Sequence, residues 1–142
     1  VKISDISKDY QVIRITNPAS AEDTGRFKRR YLGADLSDYI ELMECSAGFD
    51  VIHSSGGMLS IFSPSEATEN DRCYGLSENF PGSVPLGSDG NSRFVFLWIN
   101  ASVLGVWLCD MSVMSPSHAI YVASNMLDLL SKCDGVEMLT FE

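Results

Sequence analysis

Basic side chains are scarce in this 142-residue chain: ten lysines and arginines stand against nineteen aspartates and glutamates, for a formal charge of −9. The scarcity is uneven. Residues 1–33 hold seven basic and four acidic side chains, whereas residues 34–142 hold three basic and fifteen acidic. Most of the surface therefore repels phosphate, which argues against nucleic acid as its partner. A basic protein fits it better, because an opposite field speeds encounter and sets orientation. The same acidity also favours solubility.

Long apolar runs are missing too. The longest candidate, 94–109, is broken by Asn100, Ser102 and Gly105. It falls short of the roughly 20 apolar residues that a membrane-spanning helix needs. The opening Val1-Lys2-Ile3-Ser4-Asp5 carries charge and no apolar signal-peptide stretch, so a cytoplasmic chain is expected. Cysteine occurs four times, at Cys45, Cys73, Cys109 and Cys133, and never as C-x-x-C. Free thiols in a reducing compartment are the expectation, with no metal and no cofactor. Histidine occurs only at His53 and His118. There is no H-E-x-x-H, G-x-S-x-G, Gly-Lys-Ser/Thr phosphate loop or EF-hand loop, so the chain is not expected to be an enzyme. A small hydrolase would need one of the two histidines beside a carboxylate in a deep pocket.

What is present is globular composition, 45% hydrophobic and 20% charged, at a length that suits one domain. Tyr10 to Ile15 partly alternates and reads as a strand. Ser20 is placed to cap a basic helix over 21–31, and Gly33 to end it. A second helix is expected over 35–44, with Leu36, Tyr39, Leu42 and Met43 on one face and Asp38, Glu41 and Glu44 on the other. The period then changes. Strands are expected over 49–53 and 58–62, joined around Gly56-Gly57. Ser63-Pro64-Ser65-Glu66 opens another helix with a capping pattern. Residues 73–92 read as a loop-rich linker. Within it, Gly87, Ser88, Asp89 and Gly90 form a turn motif whose two glycines are free to take positive φ, and whose Asp89 can bond its own backbone. Two strands buried on both faces follow, 93–99 and 103–109. A long helix is expected over 118–133, capped by Ser117, and 136–141 has strand character.

The stretch Pro81-Gly82-Ser83-Val84-Pro85-Leu86-Gly87-Ser88-Asp89-Gly90-Asn91, followed by Arg93-Phe94-Val95-Phe96-Leu97, resembles the SMI1/KNR4 superfamily, also called SUKH. That family carries a proline-and-glycine loop, a Gly-Ser-Asp-Gly turn and a hydrophobic strand. Leu36, Tyr39, Leu42 and Met43, ending in Ser46-Ala47-Gly48, are similar to its upstream helix. Ala123, Asn125, Met126, Leu129 and Leu130 are similar to its closing helix. The resemblance runs in order from Leu36 to Leu130 and leaves residues 1–20 uncovered, as an N-terminal extension of a single 1–142 domain. It implies an α+β fold with a mainly antiparallel sheet flanked by helices. It also implies an immunity-type protein that binds and neutralises a cognate toxin domain, often a nuclease, or else a regulatory or scaffolding domain without a toxin partner. The residues expected to meet a basic partner are the carboxylates Asp38, Glu41, Glu44, Glu66, Glu69, Asp71 and Glu78, because a nuclease holds phosphate on a positive site that an acidic protein can occupy.

Overall fold

Alternating apolar residues build most of the sheet, and both short turns and helical connections join its strands. The computed structural model describes residues 2–139. Seven strands, β1 (Tyr10–Ile15), β2 (Phe49–His53), β3 (Met58–Ile61), β4 (Val84–Ser88), β5 (Arg93–Asn100), β6 (Val103–Asp110) and β7 (Ile120–Ala123), lie side by side in chain order. Each is antiparallel to the next. Among the described residues there are five α-helices. α1 (Ala21–Arg30) and α2 (Ser37–Met43) fill the β1–β2 connection, α3 (Pro64–Tyr74) and α4 (Leu76–Asn79) the β3–β4 connection, and α5 (Met126–Ser131) follows β7. The fold is α+β. No helix among the described residues is long and apolar enough to cross a membrane.

Local chemistry explains the helix starts. Ser20 Oγ accepts from the Asp23 amide, and Ser63 Oγ from the Glu66 amide, while the Glu66 carboxylate accepts in turn from the Ser63 amide. Pro64 occupies the first turn of α3, where its missing N–H costs nothing. Gly75, at φ +70°, ends α3 in the left-handed region that glycine adopts freely.

Register assigns the faces. Phe49, Val51, Leu59 and Ile61 share one face of β2–β3 and are fully buried. On the opposite face Arg14, Asp50 and Ser60 stand in line across β1–β3. Arg14 Nε donates to Asp50 Oδ2 at 2.8 Å, and Ser60 Oγ to Asp50 Oδ1 at 2.6 Å. The Arg14 guanidinium holds the Asp50 carboxyl below its ordinary value, against the opposing effect of burial. Further along the sheet this face is covered: Phe62 packs on Phe94, and Phe80 on Phe96 and Trp98. Trp98, Trp107 and Tyr121 continue edge-to-face, with centroids 5.5 Å apart at each step.

Several expectations are corrected. The linker expected over 73–92 holds α4 and the central strand β4. Pro85 and Gly87 hid that strand, since both weaken a sheet. Here the ladder register shifts between them, and that irregularity accommodates the residue lacking an N–H. Gly87 lies against the Ser60 carbonyl so closely that a Cβ has no room; it needs smallness, not the positive φ expected of it. Only Gly90 of the pair is left-handed, at φ +78°.

The long helix over 118–133 is replaced by a 3-10 turn at Pro116–His118, strand β7 and the short α5. Ile120, Tyr121 and Ala123 pair with the otherwise open edge of β6. Asn125, not Ser117, caps the helix by accepting from the Asp128 amide at 2.8 Å. Val136–Leu139 forms a 3-10 turn rather than a strand, and the rest of that expected strand, including Phe141, lies outside the described residues. Finally, β5 and β6 are buried on both faces only over part of their length. Phe94, Val95 and Phe96 are interior, but the hairpin end, with Ile99, Val103 and Leu104, is exposed.

Candidate functional site

The α1–α2 loop and the tip of the β5–β6 hairpin meet over a groove of about 730 Å³. Three apolar side chains line it while facing solvent: Leu32, 81% exposed, Ile99, 59%, and Leu104, 50%. Ile99 and Leu104 are register partners, so they stand side by side on one face. The loop that joins their strands, Ala101-Ser102, puts two non-glycine residues at φ +49° and +68°. A two-residue hairpin turn that normally uses Asn-Gly is thus made with side chains that resist it. Exposed apolar clusters of this kind mark interaction surfaces.

A second observation falls in the same groove. Ser83 is 2% exposed, and among the described residues its Oγ finds no hydrogen-bond partner. Buried hydroxyls are almost always paired, so this one is an exception at the floor of the groove. Arg30 also lines the groove, and its Nε donates to Tyr31 Oη at 3.2 Å.

The α2 carboxylates border this apolar centre. Asp35 and Asp38 line a small depression shared with Leu97 and Leu104. The hydrogen bonds from Ser37 to Asp35 hold that carboxyl below its ordinary range. Glu41 and Glu44 line another depression, of about 700 Å³, with Leu32, Lys2 and Lys28. The loop residues 31–36 run through all three hollows. The result is an apolar centre with a charged border, the usual anatomy of a protein-binding patch.

The other expected partner residues fall elsewhere. Glu69 lines a cleft between α1 and α3 with Arg26, Arg30 and Arg72, and pairs with Arg72 at 3.2 Å. Glu66 is spent on capping its own helix, and Glu78 is exposed on α4. Asp71 is corrected outright: it is 2% exposed, not a surface carboxylate. It accepts from Tyr31 Oη at 2.6 Å, Ser77 N at 2.8 Å and Ser77 Oγ at 2.5 Å. The basic α1 thus packs against the acidic middle of the chain, which partly neutralises the charge block seen in sequence.

The turn motif is divided. Gly87 and Ser88 belong to β4, and Asp89 and Gly90 make the turn. Asp89 is buried and accepts from the Asn91 and Arg93 amides at 3.0 and 3.1 Å and from Arg93 Nε at 2.6 Å. Its carboxylate is engaged by the chain itself.

Sequence reading missed Leu32, Ile99, Leu104 and Ser83. The signals available were a lone leucine before Gly33 and a hairpin turn without glycine, and neither points to the other. Among the described residues, the one group of mixed nitrogen, oxygen and sulfur ligand atoms is Asp9, His53 and Cys133. His118 is exposed, with Ser117 Oγ 3.2 Å from its Nδ1. No protein-family model matches the chain, and no curated protein matches it either.

Proposed function

We propose that this chain is an immunity-type protein of the SMI1/KNR4-like kind, which binds a basic toxin domain in the cytoplasm and blocks its nuclease site. The observation that carries the reading is the groove at Leu32, Ile99 and Leu104, bordered by Asp35, Asp38, Glu41 and Glu44. The apolar centre supplies affinity on desolvation. The carboxylates steer a cationic, phosphate-binding surface onto it and take the place of phosphate there. The net charge of −9 extends the same field over the molecule. Asp71 has no part in this surface, and Glu66, Glu69 and Glu78 contribute to the long-range field rather than the contact.

The test is affinity capture from the native lysate at low and high salt, followed by assay of the captured protein's nuclease activity with added chain. The expected result is a basic toxin domain, held more weakly at high salt and inhibited at one equivalent. A captured partner without toxin activity, indifferent to salt, would instead establish the regulatory or scaffolding reading.

A further inference from the structure

We propose that Asp9, His53 and Cys133 form a zinc site that ties the lead into β1 and the exit of α5 to the β2–β3 turn. The three residues are far apart in the sequence, yet a carboxylate oxygen, an imidazole nitrogen and a thiol sulfur all lie within 4.8 Å of one another. A tetrahedral zinc shell, with bonds of about 2.0–2.3 Å, spaces its ligand atoms about 3.3–3.8 Å apart. Closing the shell takes about 1 Å of side-chain movement. Asp9 is exposed and has that freedom, while His53 and Cys133 are half-buried and hold the frame.

The frame exists without any ion. The Ser54 amide donates to the Asp9 carbonyl at 2.9 Å, and the Ser7 amide to the Leu130 carbonyl at 2.9 Å. Tyr10 is the register partner of His53, and its hydroxyl donates to the Leu129 carbonyl at 2.7 Å. The turn after Cys133 packs on Gly57, where an added Cβ would press on Leu139 and the Val136 carbonyl. Three chain segments are thereby brought to one point by ordinary backbone pairing.

The details suit a ligand set. The His53 ring is fixed edge-on against Tyr10, centroids 5.1 Å apart, and its Nδ1 lies 2.8 Å from Ser55 Oγ. The Ser55 amide also donates to Nδ1, at 3.1 Å, so Nε2 is the nitrogen left to meet zinc. Binding there moves the ring proton to Nδ1, which then donates to Ser55 Oγ in place of the amide contact. Cys133 sits at φ +60°, just past α5, where glycine is the default. A side chain there costs about 1 kcal/mol or more of backbone strain, and a thiolate bond to zinc gives that position a use. The donor set combines one soft, one intermediate and one hard atom. It matches zinc and not magnesium or calcium, which take oxygen ligands. Water completes the fourth position. None of the four hollows described above reaches these side chains, so a metal clamp fits them better than a catalytic thiol.

The test uses the full chain with Cys45→Ser and Cys73→Ser, which removes the two exposed thiols. Cobalt(II) and then zinc(II) are titrated into it. The expected result is one equivalent bound, a thiolate-to-cobalt charge-transfer band displaced by zinc, and a zinc-dependent rise in melting temperature. Cys133→Ser should abolish the band. Asp9→Asn, at an exposed position that folding does not need, should weaken zinc binding about 10-fold or more. No thiolate band in the parent overturns the proposal. So does zinc affinity unchanged in both variants, the mark of an adventitious ion only.

Discussion

Asp71 joins α1, α3 and α4 through one carboxylate, and replacing it measures how much that junction is worth. Asp71→Ala removes the acceptor for Tyr31 Oη, Ser77 N and Ser77 Oγ. Ser77 Oγ can turn to another partner. The Tyr31 hydroxyl and the Ser77 amide cannot do so easily, and each loses about 1–3 kcal/mol when left unpaired. Arg30 Nη2, at 3.9 Å from the carboxylate, is exposed enough to find water and adds little. The sum, about 3–5 kcal/mol, is typical for breaking a buried charged network. For a chain of this length it corresponds to a fall of about 10–15 °C in Tm. Tyr31→Phe should cost about 1–2 kcal/mol. Asp71→Asn should cost about the same, because the amide keeps one acceptor while losing the charge. Urea denaturation of the two singles, Tyr31→Phe and Asp71→Ala, and of the double should give a coupling energy of about 1–2 kcal/mol. A stability for Asp71→Ala within about 0.5 kcal/mol of the parent would falsify this account, because it would make Asp71 the surface carboxylate that its sequence position implies.

Gly87→Ala should destabilise by about 1–3 kcal/mol, because the new methyl meets the Ser60 carbonyl and pushes β3 from β4; a melting curve superimposed on the parent's would refute the close approach. Leu32→Ser and Leu104→Ser should shift stability by no more than about 0.5 kcal/mol yet abolish partner capture, and retention of capture by both would remove the groove from the interface. Asp50 bears on acid stability. Its folded carboxyl lies below the ordinary 3.8 chiefly through its bond from Arg14, so its contribution is present above that value and lost as pH falls through the folded one. Asp50→Asn should therefore lower stability at neutral pH by at most about 1 kcal/mol and flatten the acid limb below about pH 4. An equal gap between parent and variant in urea melts at neutral pH and well below the folded value would exclude this linkage.

The elements that could be read from sequence are those whose signals are local. Ser20 and Ser63 announce α1 and α3 because a cap is a bond between residues three apart. Phe49 to His53 and Met58 to Ile61 read as strands because alternation is visible within five residues. β4 was not legible, since Pro85 and Gly87 argue against a strand until β3 and β5 stand on either side. β7 was misread for the opposite reason: Ile120, Ala123, Met126 and Leu130 repeat with helical spacing, but the open edge of β6 took Ile120–Ala123 into the sheet. The carboxylates of α2 could be placed on one helix face by counting. Whether Asp71 faced water could not, because its partners Tyr31 and Ser77 lie just past α1 and on α4.

Charge, the absence of catalytic motifs, the helix caps and the alternating strands are properties of composition and of neighbours along the chain, so the amino-acid sequence alone settles them. The burial of Asp71, the meeting of Leu32 with Ile99 and Leu104, and the convergence of Asp9, His53 and Cys133 are properties of neighbours in space. Those depend on strand order and register, which long-range backbone pairing decides and no short window of sequence contains.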